Sequence, residues 1–133
     1  MKRYLFLYLA TLIVFIPLDF LFLGTIAKNF FTAQVGDMLG EIRWAPAILF
    51  YLTYLVGIVI FASGSPDATW SSALLYGALF GFFCYATFEL TSLSLLKHWT
   101  WPVVVLDMSW GTFVTAVSAA LGLMIANAVA AKI

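Results

Sequence analysis

A helix that crosses a bilayer needs about 20 consecutive, mostly apolar residues. This chain of 133 residues holds four such runs, at roughly 4–26, 44–62, 70–96 and 103–131. Hydrocarbon offers no water to backbone N–H and C=O groups, so each run must satisfy them internally, as a helix. The runs are continuous and lack the period-two alternation of an outer-membrane barrel. The expected fold is an all-α membrane protein, a four-transmembrane-helix bundle forming a single integral membrane domain over residues 1–133. Composition agrees: charged residues are 9% of the chain, against roughly 25% in a soluble domain. Six basic and six acidic residues cancel, leaving no basic footprint for nucleic acid.

Local chemistry marks the ends of the spans. Ser63, Gly64, Ser65, Pro66 and Asp67 form a turn between spans two and three. Pro102 suits the start of span four, where a helix has no use for its missing N–H. Trp44, Trp70, Trp99 and Trp101 fall at the expected interfaces, where an amphipathic indole is comfortable. Lys2 and Arg3 precede an apolar run as in a signal peptide. The run is too long for a signal core, however, and Pro17 and Asp19 interrupt it, so it is read as a retained span.

Between spans one and two, Phe31, Val35, Met38 and Ile42 recur at helical spacing while Asn29, Asp37 and Glu41 fall elsewhere on the wheel. This pattern predicts a short interfacial amphipathic helix over 27–43, weakened by Gly36 and Gly40. The alternative is a lid over a site below. Basic residues tie three to three between the two faces under the positive-inside rule, and the Lys2–Arg3 pair tips both termini toward the cytoplasm.

Asp19, Glu89 and Asp107 lie inside the spans, where a charge is costly and needs a reason. At 1.5 Å per residue, all three fall roughly 6–11 Å below the same surface, given up-down connectivity. Their helix faces are distinctive. Asp107, Gly111, Thr115, Ser118 and Gly122 form a small polar stripe that lets helices approach closely. Gly77 and Gly81 lead on to Tyr85 and Glu89. Phe15, Phe22 and Leu23 flank Asp19, and span two brings Tyr51 and Tyr54. A bundle hiding these stripes gathers the three acids, with Tyr85 and a span-two tyrosine over them. Carboxyls gathered away from water and cations can hold and release a proton. The plainer reading is that each acid accepts hydrogen bonds from Ser, Thr, Tyr or Trp neighbours and locks helix packing.

The other candidates carry less. His98 is the lone histidine and suits an interfacial position, and no set of metal ligands stands out. Cys84 lies among apolar residues and reads as core rather than nucleophile. No phosphate loop, nucleophile elbow or dinucleotide fingerprint is present, so no cofactor is named.

The segments 18–24 (LDFLFLG), 50–54 (FYLTY), 85–92 (YATFELTS), 96–97, 101–102 and 107–112 (DMSWGT) together resemble the bacterial membrane proteins grouped as domain of unknown function 2177 (DUF2177). Glu89 stands where that family generally has aspartate, and Ser92 where it has asparagine. The resemblance implies a small four-helix protein of the bacterial inner membrane and no particular reaction. Asp19, Glu89, Asp107, Trp110 and Gly111 are all motif positions.

Three functions fit these residues. In the first, the acids carry a proton while Tyr54 and Tyr85 line the path of a small cationic or apolar ligand; transport would then need a homodimer. The second is an intramembrane enzyme acting on a lipid or other apolar substrate, with Glu89 or Asp107 as base and Tyr85 or Lys97 positioning it. The third is an assembly subunit docking a partner on the small faces at Gly77, Gly81, Gly111 and Gly122. Membrane lipids are partners in all three.

Overall fold

The structure, a computed structural model, describes residues 2–38 and 43–132. Four helices are long and apolar enough to cross a membrane: α1 (Lys2–Val35), α2 (Trp44–Ser63), α3 (Trp70–Leu95) and α4 (Trp101–Lys132). The all-α membrane bundle read from the four apolar runs is what the chain forms.

α4 is the centre. Half of its most apolar stretch is buried by the other helices, against 22–33% for the rest. It packs along both α3 and α1. Small residues explain why. A Cβ on Gly77 would come within 2.9 Å of the Thr115 carbonyl oxygen, and one on Gly81 within 2.5 Å of the Gly111 carbonyl oxygen. A Cβ on Gly111 would strike the ring of Tyr85, and one on Gly122 would strike Thr11 of α1. All four glycines are therefore used inside the chain. α1 supplies a stripe at helical spacing, Leu7, Thr11, Phe15, Asp19 and Phe22, all buried. Thr11 covers its own hydroxyl by donating to the Leu7 carbonyl at 2.7 Å.

α2 stands apart. Its buried residues begin at Tyr54 and continue through Leu55, Ile58, Val59, Ala62 and Ser63, while no residue from 44 to 53 is buried. Its C-terminal end is pinned by Arg3, which donates to the carbonyls of Gly64 and Ser65 at 2.8 and 2.9 Å. The following turn ends in a capping box: the Ser72 N–H donates to the Thr69 hydroxyl, and the Thr69 N–H to the Ser72 hydroxyl. Tyr8 of α1 reaches the Leu52 carbonyl at 3.1 Å. Tyr51, in the same half, donates to Asp19 of α1, and the rest of the first half of α2 leans away from the bundle.

The connection after span one differs from expectation. Residues 28–35 are helical, but they continue α1 rather than forming a separate interfacial helix. A widened, π-type turn at Leu23–Ala27 joins the two parts. It resets the helix register, so Ala27 and Val35 face inward although residues 23–26 are exposed. The extension leans on the α3–α4 turn, where the Thr100 hydroxyl donates to Gln34 at 3.0 Å. A single 3-10 turn, Gly36–Met38, follows. The Met38 side chain and Ile42, also assigned to the amphipathic stripe, lie outside the described residues.

Glycine contacts separate two outcomes. Gly81→Leu forces α3 and α4 apart and costs about 1–3 kcal/mol, read as a lower melting temperature in detergent. Gly24→Ala, with nothing within 4 Å of the added carbon, does not lower it.

Candidate functional site

Asp19 projects from the inner face of α1 and is 6% exposed. Both of its oxygens are occupied: Tyr51 of α2 donates its hydroxyl to one, and the Trp110 indole of α4 donates to the other at 3.1 Å. Trp110 is itself fixed by stacking on Phe22, with ring centroids 4.4 Å apart and planes 6° from parallel. Tyr51 packs edge-on against Phe15 and Phe20. One carboxylate thus ties three helices together. A buried carboxylate accepting O–H and N–H donors is the form in which burial is tolerable.

Glu89 is more deeply enclosed, at 1% exposed. The Trp99 indole, from the α3–α4 turn, donates to it at 2.8 Å. Asp107 of α4 is a neighbouring acid, near enough for the two carboxyls to interact. Asp107 sits one turn before Trp110 on α4 and takes no N–H or O–H donor among the described residues. Asp19 is near enough to Asp107 for their charges to interact. The three acids drawn from three spans therefore belong to one locality.

That locality is a cavity of about 550 Å³. Asp19, Asp107, Trp110, Tyr51, Tyr54 and Tyr85 line it, together with Phe22, Leu23, Phe50, Cys84 and Phe88. Leu23, Phe50 and Phe88 are also exposed on the outer surface, so they form the rim, on the side where α2 leans away. Tyr54 shares a 2.7 Å hydrogen bond with Thr115, in the buried floor. Tyr85 meets Tyr54 edge to face, centroids 6.1 Å apart. Its hydroxyl has no hydrogen-bond partner among the described residues. Gly111 leaves the room that the Tyr85 ring occupies.

Of the residues singled out from sequence, Asp19, Asp107, Tyr51, Tyr54, Tyr85 and Trp110 come together on this wall. Glu89 is not among the lining residues and neighbours Asp107. Lys97 does not join them: it is exposed in the α3–α4 turn. The adjacent His98 is also exposed, with its Nε2 3.8 Å from the Asp37 carboxylate. Cys84, read as core, is half-buried and faces the cavity. Phe50, Phe88 and the donor role of Trp99 escaped the sequence reading. Trp99 carried a usable signal: an indole N–H at an apolar boundary needs an acceptor, and Glu89 lies across the turn. Among the described residues no group of three His, Cys, Asp or Glu side chains is arranged to hold a metal.

Fold and cavity together define a four-helix membrane protein with a carboxylate-bearing pocket inside its bundle. The chain belongs to the family described as "Predicted membrane protein (DUF2177)", which matches residues 4–124. No curated protein and no solved structure matches it.

The two donors on Asp19 give a graded test. Tyr51→Phe removes one hydrogen bond and keeps the phenyl ring, costing about 1 kcal/mol; Trp110→Phe removes the other and also shrinks the indole that stacks on Phe22, so it costs more. The double variant leaves a buried carboxylate with neither donor, so its loss of thermal stability exceeds the sum of the two.

Proposed function

We propose that the protein binds, and in a dimer transports, a small apolar or cationic molecule that enters its cavity sideways from the bilayer. The carrying observation is the cavity itself. It is walled by Phe22, Phe50, Phe88, Tyr85 and Trp110, and it carries two carboxylates on an otherwise apolar lining. Ligand pockets combine a mostly apolar wall with a few placed polar groups. The rim of Leu23, Phe50 and Phe88 faces where acyl chains would lie, so a membrane-dissolved molecule reaches the acids without crossing a polar surface. Asp19 and Asp107 engage its polar end and the aromatic rings its body. The same reading sets the chain in the bacterial inner membrane with both termini cytoplasmic. Transport needs a second copy, because one chain offers little more than one wall of a pathway.

A second reading, an intramembrane enzyme on an apolar substrate, draws on one feature. Glu89 and Asp107 are neighbouring acids, yet of the two only Asp107 lines the cavity. Such unequal environments divide acid and base roles between paired carboxyls. The assembly-subunit reading loses the surface it relied on, since Gly77, Gly81, Gly111 and Gly122 are occupied by α3–α4 and α1–α4 packing.

Native mass spectrometry after extraction in a mild detergent tests the binding reading. The expected spectrum shows the chain with one added mass of defined value that is not detergent. Leu23→Trp, which fills the rim, loses that mass while its circular dichroism melt stays cooperative. A wild-type chain with no added mass, or a Leu23→Trp chain that keeps it, overturns the reading.

A further inference from the structure

The end of the bundle away from the carboxylate cavity holds a cation that the chain does not pair. Arg3 lies about 24 Å from Asp19 along α1, at about 1.5 Å per residue. Its guanidinium is half-buried and donates to the Gly64 and Ser65 carbonyls at 2.8 and 2.9 Å. Those two bonds fix its position but not its charge, since a carbonyl is a dipole and not an anion. A guanidinium carries five N–H donors, so the fork has donors to spare. Tyr4 offers it a ring, 5.7 Å away, and no carboxylate pairs with it among the described residues. Beside Arg3, α1 and α4 part in a cleft of about 150 Å³. Its polar residues are Arg3 and Asn127, and Phe6, Leu7, Leu123 and Ala126 give it an apolar wall. The same end of the bundle carries Lys2 at the start of α1 and Lys132 in the last turn of α4. Against these three cations the one acid at this end, among the described residues, is Asp67, which lines a different pocket.

We infer that this cleft binds an anionic phospholipid, with its phosphate on Arg3 and Asn127 and the start of one acyl chain against Phe6, Leu7 and Leu123. Three features select that occupant. The planar guanidinium fork matches phosphate oxygens and is weakly hydrated, so it works at a half-dry boundary. Arg3 stands in the first turn of a span, the depth at which headgroups meet hydrocarbon, and basic pockets between transmembrane helices hold phosphate-bearing headgroups. The apolar wall gives a lipid what free phosphate cannot use, and the excess of cations over acids at this end favours a net negative headgroup over a zwitterionic one. Arg3 then serves two partners: two of its N–H groups hold the α2–α3 turn, and the rest hold the lipid. The cleft shares no residue with the carboxylate cavity, so the two sites stand or fall separately.

The test titrates the full chain in a mild non-ionic detergent with acyl-deuterated phosphatidylglycerol and phosphatidylcholine of the same chain length. Native mass spectrometry reads the adducts, and the deuterium separates them from any copurified molecule. The wild type is expected to take one phosphatidylglycerol with about tenfold preference over phosphatidylcholine. Inorganic phosphate at the lipid's concentration is expected to leave that adduct undiminished. Asn127→Asp sets a carboxylate of the chain's own beside Arg3 without changing the size of the side chain. It is expected to abolish the preference while the circular dichroism melt stays cooperative. Arg3→Gln is expected to abolish it too, but with a lower melting temperature, because the Gly64 and Ser65 carbonyls lose their donor. Equal uptake of the two lipids by the wild type, or a preference that survives in Asn127→Asp, overturns the inference. Displacement of the lipid by inorganic phosphate at comparable concentration makes the cleft a site for free anions and overturns the lipid assignment.

Discussion

Carboxyl groups carried to membrane depth without cations must find their donors inside the bundle, and this requirement organises the rest of the structure. Asp19 is served by Tyr51 and Trp110, which forces α1, α2 and α4 to converge at one level. Glu89 is served by Trp99, which folds the α3–α4 turn back over the end of α3. Asp107 takes no donor among the described residues and lines the cavity instead. The aromatic side chains with polar tips are thereby distributed. Tyr51, Trp110 and Trp99 each put an O–H or N–H on an acid and a ring against an apolar neighbour: Phe15, Phe22 and Phe88.

Close approach is the second requirement, and glycine meets it. Without a hydrophobic drive between helices in lipid, association depends on packing and on polar contacts. Gly77 and Gly81 bring α3 against α4, and Gly122 brings α1 against it. α2 has Gly57, against the ring of Phe80, but no run of small residues toward α4. It joins the bundle through its second half and through hydrogen bonds from Tyr51 and Tyr8. The cavity is the space this unequal packing leaves.

The four spans were legible because hydropathy over about 20 residues leaves few alternatives. The acids were legible because charges at that depth are rare, and the line Gly77, Gly81, Tyr85, Glu89 because helical spacing put them on one face. The continuation of α1 to Val35 was not legible. Lys28 and Asn29 read as an interface, and the π-type turn at Leu23–Ala27 has no residue signature of its own. Nor could Phe50 and Phe88 be told from lipid-facing aromatics, since a cavity wall in a membrane is as apolar as the outside. Trp99 read as a belt residue because its partnership with Glu89 depends on the path of the turn. Lys97 shares the helix face of Glu89, but its position beyond the end of α3 carries it out to the surface.

On the binding reading proposed above, the rim formed by Leu23, Phe50 and Phe88 gives the cavity the bilayer, not water, as its reservoir. Whatever occupies it displaces an acyl chain rather than solvent, so occupancy follows the mole fraction of a compound in the membrane. A molecule scarce in the aqueous phase but strongly partitioned can fill the site, and a change in lipid composition alone can empty it.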